Sequence, residues 1–275
     1  MEKSQTKNSV REISSTIKSI GDDDRRASRR EAAIIAASRL IADRDVVFVG
    51  QGLPVIAALF AKRDHAPNCV VMHEYGVVDT DPPIAVELAH PLFAEKATYL
   101  CDMIDALASL IYHINVAFLG AAQIDRYGNV NTTTVGDYFN PTYRISGSGG
   151  ANDIGSLAPN LVLVMDNQRA SKFPESVDYR TTPGYFGGSR KRRSELNLPG
   201  SGPSAVVTDL GVYKFERKTG EMYLESLQPG VTVDEVRENT SWKIKVAKRL
   251  GVQPEPKEEE VLRLRELDPR RVYLR

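Results

Sequence analysis

Short, wholly apolar strands alternating with helical stripes are the feature that most narrows the folds open to this chain. Between Glu31 and Ala42 the apolar residues Ala33, Ile34, Ile35, Ala37, Leu40 and Ile41 form one helical stripe, and Val46-Val47-Phe48-Val49 follows without a polar residue. That strand runs into Gly50-Gln51-Gly52-Leu53-Pro54, where two glycines permit a tight turn, and helical periodicity resumes from Val55 to Lys62. A second apolar strand, Cys69 to Met72, comes next, and others are predicted at Val116 to Leu119, Leu161 to Met165 and Ala205 to Thr208. Strands apolar on both faces must be covered on both, so the pattern predicts an α/β fold: an open, largely parallel sheet with helices on both faces.

The last third changes character. Val212-Tyr213-Lys214-Phe215 and Met222-Tyr223-Leu224 flank a Lys218-Thr219-Gly220 turn, which predicts a C-terminal antiparallel hairpin at an edge of the main sheet. Thr232 to Glu235 fits a capping box opening a short helix. Beyond Pro254 to Pro256, an amphipathic helix at Glu258 to Leu267 is expected to dock on its own domain or on a partner. Residues 1–28, with Gly21-Asp22-Asp23-Asp24-Arg25-Arg26 and little apolar spacing, are expected to be a mobile or loosely docked arm, leaving 29–275 as a single domain.

Composition narrows the function classes. The 275 residues can fill a substantial core at 41% hydrophobic content, and 36 Lys plus Arg balance 36 Asp plus Glu. Nothing in that balance draws the molecule to nucleic acid or to an anionic membrane. No segment has the length and apolarity of a membrane span, and the N-terminus lacks the continuous apolar core of a leader. Cys69 and Cys101 are too few for a disulfide framework, so a reducing, cytoplasmic setting is expected. His65, His73, His90 and His113 are scattered without metal-ligand spacing, and no metal is predicted.

Glu74 directly follows the strand Cys69 to Met72, and open α/β sheets build their sites at the carboxyl ends of strands. A glutamate is ionised near neutral pH and can attack a thioester without a separate base. The alternative is a solvent-facing loop carboxylate. Its neighbour His73 would point to the opposite face if the pleat continues, as a packing residue. Gly147-Ser148-Gly149-Gly150-Ala151-Asn152-Asp153 can turn backbone N–H groups toward one point and hold an oxyanion, or can be an ordinary glycine-rich turn. Gly120 to Asn131 is dense in glycines and amides; Asn129 and Asn131 either bond a ligand or satisfy backbone groups in a tight turn. The run Arg190-Lys191-Arg192-Arg193 suggests phosphate contact, with a solvated charged surface as the alternative. No Gly-x-Ser-x-Gly elbow is present.

From about Ala32 to Tyr273 the sequence resembles the glutaconate CoA-transferase beta subunits of the family I CoA-transferases. The resemblance rests on Val49-Gly50-Gln51-Gly52-Leu53-Pro54, His65-Ala66-Pro67-Asn68, the segment Gly120 to Asn131, Gly136-Asp137-Tyr138, Gly147 to Asn152, Leu198-Pro199-Gly200 and Val207-Thr208-Asp209. It implies a CoA-transferase-like fold, with Glu74 as the catalytic glutamate that forms glutamyl anhydride and glutamyl-CoA intermediates. It implies that Gly147, Gly149, Gly150, Ala151 and Asn152 cradle the reacting carbonyl and CoA. Gly50, Gln51, Gly52, Tyr75, Gln123, Asn129 and Asn131 are the candidates for the substrate cleft. Coenzyme A enters as a substrate, with no permanently bound cofactor. A separate alpha subunit is expected to complete the cleft, and the ligands are an acyl-CoA and a carboxylic acid. The family's small residue after the glutamate is replaced here by Tyr75, which leaves the acyl group open. Hydrolases acting on CoA thioesters, including ring-opening ones, share the scaffold and are the alternative activity, and a non-catalytic binding subunit is a further one.

Overall fold

The computed structural model describes residues 26–87, 90–188 and 191–275. Among them a ten-stranded mixed sheet forms the spine. Its middle consists of β1 (Val46–Val49), β2 (Val70–His73), β5 (Val116–Gly120), β10 (Leu161–Val164) and β11 (Pro203–Val207), in the order β11-β10-β5-β1-β2 and all parallel. These are the apolar runs expected from the sequence. Burial on both faces explains their composition, since the residues along them are buried whichever way they point.

Helices cover both faces. On one, α1 (Arg29–Ser38), α2 (Leu53–Asp64) and the C-terminal α7 (Glu258–Leu267) pack on Val47, Val49, Val71, Phe118 and Val164. On the other, Phe48, Met72, Leu119 and Leu163 meet Ile154 of α4 (Ala151–Leu157) and Val236 of α6 (Val233–Glu238), with Leu107 of the short α3 (Met103–Ala108) packed alongside. The alternation of inward residues along each strand sets which side chains face which helices. The C-terminal helix therefore docks on its own chain: Val261, Leu264 and Leu267 are buried in the first core. Arg265 donates to both oxygens of Glu31, at 2.6 and 3.0 Å.

Several expectations shift in detail. Ser28, assigned to the arm, is the N-cap of α1: its hydroxyl accepts from the Glu31 N–H at 3.2 Å and Glu31 accepts from the Ser28 N–H at 2.7 Å. Residues 1–25 of that arm lie outside the described residues. Thr232 caps α6 through the Glu235 N–H, but the box is not closed, because the Glu235 carboxylate pairs with Arg29 instead. The hairpin of β12 (Gly211–Phe215) and β13 (Met222–Leu227) is antiparallel as expected, yet it is not the edge. The edge strand is β14 (Lys245–Val252), parallel to β13. Its exposed lysines and arginine hide the strand signal and protect the open edge from further pairing. At the opposite edge the two-residue strands β3 (Val77–Val78) and β4 (Tyr99–Leu100) turn back antiparallel on β2.

Candidate active site

Parallel strands all end on one side, so the loops after β2, β1, β5 and β10 converge there. Between them lies a cleft of about 510 Å³. Its floor is Glu74 and Tyr75 after β2, Gly50 to Leu53 after β1, Gly120 to Ala122 after β5, and Met165 and Asp166 after β10. Its wall is the stretch Ile145 to Gly149 together with Ala151, entering from the hairpin of β8 (Thr134–Gly136) and β9 (Pro141–Arg144).

Glu74 sits one residue beyond the end of β2. His73 is fully buried on the side of α1 and α2, edge-on to Phe93 with ring centroids 5.0 Å apart. The pleat then turns Glu74 the other way, toward the glycine loop. Its Oε2 accepts a hydrogen bond from the Gly150 N–H at 2.9 Å, closing a gap of 76 residues in sequence. Its Oε1 has no hydrogen-bond partner among the described residues. The approach requires glycine: Gly149 has φ +46°, and a Cβ on Gly150 would lie 2.6 Å from Leu107 Cδ2 and 3.1 Å from Glu74 Oε2. Beside the carboxylate, the Gln51 amide donates to the Tyr75 hydroxyl at 2.5 Å, so the loops after β1 and β2 are joined across the cleft floor.

Neither ring nitrogen of His73 has a hydrogen-bond partner among the described residues, and burial depresses its pKa to about 4. The unfolded chain, with an ordinary histidine near 6.5, binds the proton first as pH falls. Stability is therefore retained above about pH 6.5 and declines toward pH 4, by about 3 kcal/mol in all for a shift of this size. Urea unfolding from pH 4 to 7 should show that slope, and His73→Leu should flatten it. A variant that keeps the full slope would assign the acid sensitivity to other groups.

Other candidates lie elsewhere. Gln123, Asn129 and Asn131 are buried on and beside the small hairpin of β6 (Gln123–Ile124) and β7 (Val130–Asn131), and do not line the cleft. Asn129 donates to Asp125 and to the Phe186 carbonyl and accepts from the Gly184 and Phe186 N–H groups. Asn131 donates to Gln123 Oε1 and the Thr134 carbonyl and accepts from the Thr133 and Thr134 N–H groups. Their amides are consumed in holding irregular backbone, which corrects their assignment to the cleft. Asn152 is exposed in the first turn of α4 and also lies off the lining.

The basic run divides too. Arg190 lies outside the described residues, while Lys191 and Arg192, on α5 (Lys191–Glu195), pair with Glu195. Arg193 is 3% exposed and donates to the carbonyls of Gly200, Pro183, Gly184, Gly155 and Ser156. It pins backbone together and is not a phosphate ligand. The cleft residues not singled out from sequence are Thr132, Ile145, Ser146 and Asp166. Of these only Asp166 carried a usable signal, as an acid just past a predicted strand.

Fold and cleft together define an open α/β protein that holds one carboxylate at a parallel strand end against the N–H of a glycine loop. The chain matches the family model described as Coenzyme A transferase over residues 30–239, and it belongs to that family. It is 36% identical over 259 residues to the B subunit of glutaconate CoA-transferase from Acidaminococcus fermentans, covering 90% of this chain and 95% of that one. The crystal structure of glutaconate coenzyme A-transferase from that organism superposes with a TM-score of 0.84 at 33% identity, covering 90% of this chain and 98% of that one. Identity is 35% to the B subunit of 3-oxoadipate CoA-transferase from Pseudomonas knackmussii, covering 88% and 94%. It is 30% to the cholesterol ring-cleaving hydrolase IpdB subunit of Rhodococcus jostii, covering 79% and 83%. Among the described residues no group of three or more His, Cys, Asp or Glu side chains is placed to hold a metal ion. No helix among them is long and apolar enough to cross a membrane.

Proposed function

We propose that this chain is the glutamate-bearing subunit of a CoA-transferase that moves CoA from an acyl-CoA to a carboxylic acid, with Glu74 as the covalent carrier. The observation that carries the reading is the Gly150 N–H on Glu74 Oε2 inside the cleft. With Oε2 held, Oε1 attacks the thioester carbonyl, the carbon–sulfur bond breaks, and an acyl-glutamyl anhydride forms with release of CoA thiolate. The thiolate then attacks the Glu74 carboxyl carbon, expelling the donor's carboxylate and leaving glutamyl-CoA. During that attack negative charge builds on the oxygen that Gly150 already faces, where a fixed donor is most effective. An acceptor carboxylate repeats the two steps in reverse, and Glu74 is returned as a free carboxylate. Both transferase relatives are one subunit of a larger enzyme, which supports a second, alpha subunit closing the open side of the cleft. Two unpaired cysteines suit a reducing cytoplasm.

Incubating the assembled enzyme with donor acyl-CoA alone, then trapping with hydroxylamine or borohydride, tests the assignment. Peptide mass spectrometry should locate the label on Glu74. A label elsewhere, or none with an active enzyme, would refute it.

Similarity to the ring-cleaving hydrolase favours a second reading, in which water takes the place of the acceptor. Thiol release and new thioester formation should be followed together over a panel of short mono- and dicarboxylates. Ping-pong kinetics with acceptor-dependent thioester formation are expected; thiol release at one rate regardless of acceptor would replace transfer by hydrolysis. Tyr75, 45% exposed on the cleft floor and bound to Gln51, is assigned to acyl selection. Tyr75→Ser opens that floor and is expected to change acceptor preference several-fold, toward the roughly 10–200-fold range of single pocket contacts, with Glu74 labelling intact. An unchanged preference would remove Tyr75 from the specificity account.

A further inference from the structure

The geometry points to a pyrophosphate anchor for CoA at the β10 end of the cleft, formed by Lys172 and Arg169 with Arg30 beside them. This inference rests on the CoA-transferase reading above.

The cleft runs across four parallel strand ends in the order β2, β1, β5, β10, with Glu74 at one end and Asp166 at the other. Three strand spacings of ~4.8 Å separate the two ends by roughly 14 Å. Thirteen bonds connect the sulfur of CoA to its first phosphorus. At ~1.2 Å of advance per bond, the rate of an extended chain, they span about 16 Å. A thioester placed on Glu74 with its arm laid along the cleft therefore brings its phosphates to Asp166. The distal carboxylate of a short dicarboxylic acyl group would fall well short of that point.

Cations gather there. The Lys172 ammonium donates to the Asp166 carbonyl at 3.1 Å, and Lys172 has no ion-pair partner among the described residues. It shares one turn with Arg169, whose carbonyl accepts from the Lys172 N–H at 2.8 Å. Arg169 is exposed, and its guanidinium makes no hydrogen bond or ion pair to a described residue. Arg30 reaches the same place from α1 and pairs with the Asp166 carboxylate. Burial lowers the pKa of Lys172, Arg169 and Arg30 lower it further, and Asp166 and Asp209 oppose them. Asp209 is itself engaged by the Gln168 N–H at 2.8 Å. Among the described residues the cleft lining contains no lysine or arginine, so cations for the anionic end of CoA come from its rim. Two cations with no ion-pair partner among the described residues, Lys172 and Arg169, beside the paired Arg30 at the cleft rim, are suited to a polyanion arriving there.

Calorimetric titration of the assembled enzyme with pantetheine, 4′-phosphopantetheine, dephospho-CoA and CoA tests the site. In the wild type the main gain in affinity should appear on adding the first phosphates, between pantetheine and dephospho-CoA. Lys172→Gln and Arg169→Gln should each weaken dephospho-CoA and CoA about tenfold, the effect of one charged hydrogen bond, and leave pantetheine unchanged. Lys172→Arg should retain the affinity. Equal losses for pantetheine and CoA, or no loss in either glutamine variant, would overturn the anchor while leaving the transferase reading intact. A wild type that binds none of the four ligands would overturn both. Arg169 is at the surface, so its variant isolates binding from any effect on folding.

Discussion

Replacing Glu74 by glutamine is expected to lower transferase turnover by at least about 10⁴-fold, since loss of a covalent nucleophile removes the whole two-step route. Glutamine keeps an oxygen to accept from the Gly150 N–H, so the glycine loop retains its partner and the fold is undisturbed. Its amide does not form the anhydride. Glu74→Ala should be as inactive, with unfolding free energies of both variants within about 0.5 kcal/mol of the parent. Glu74→Asp separates charge from reach: the carboxylate withdraws by one carbon–carbon bond, and a displacement of that order is worth about 10²-fold. Steady-state rates together with urea unfolding of the three variants decide the matter. Full activity in Glu74→Ala would end the covalent mechanism. An aspartate variant as inactive as alanine would show that position outweighs charge.

Gly76→Ala should give the largest loss of stability among single-methyl additions near the cleft. Gly76 has φ +80°, and a Cβ there would lie 1.9 Å from the Cys101 carbonyl oxygen and 2.7 Å from its carbon. The contact is backbone on backbone, within the β3–β4 return where the Cys101 N–H donates to the Gly76 carbonyl at 2.9 Å. No side-chain rotation relieves it. Destabilisation of at least about 3 kcal/mol is expected, in the class of severe backbone strain and overpacking. Gly230→Ala provides the comparison, because φ is +76° there but no atom of the described residues lies within 4 Å of the added carbon. It should cost only the left-handed strain, about 1 kcal/mol. Parallel urea titrations measure the difference, and equal midpoints would mean that the β3–β4 return yields freely. Gly76 also closes the turn that carries Glu74, its N–H donating to the His73 carbonyl at 2.9 Å. Any folded Gly76→Ala protein should therefore also lose turnover.

Local pattern made much of the molecule legible. The apolar runs around Val46, Val70, Val116, Leu161 and Ala205 specified strands buried on both faces, because such runs are stable only under helices on both sides. The place of Glu74 followed from the same logic, one residue past a parallel strand. The glycine loop announced its backbone freedom in composition, and the period of Val261, Leu264 and Leu267 announced the last helix.

What the sequence left open depended on partners distant in the chain. An asparagine reads alike whether its amide meets a ligand or a carbonyl, and only the packing of Phe186 and Gly184 on Asn129 shows that its hydrogen bonds are already made. Arg193 likewise looked like part of a surface charge run, and became structural because five carbonyls converge on it. β14 was hidden because an edge strand keeps its charges in water and shows no alternation. Periodicity determined the five central strands, the helices α1, α2 and α7, their order in the chain and the strand end that bears Glu74. The tertiary structure alone decided that the Gly150 N–H meets Glu74 across 76 residues, and that Lys172 and Arg30 meet Asp166 at the far rim of the same cleft. Hydrogen bonds and charge pairs of that kind are set by strand order and loop path, which no local pattern encodes.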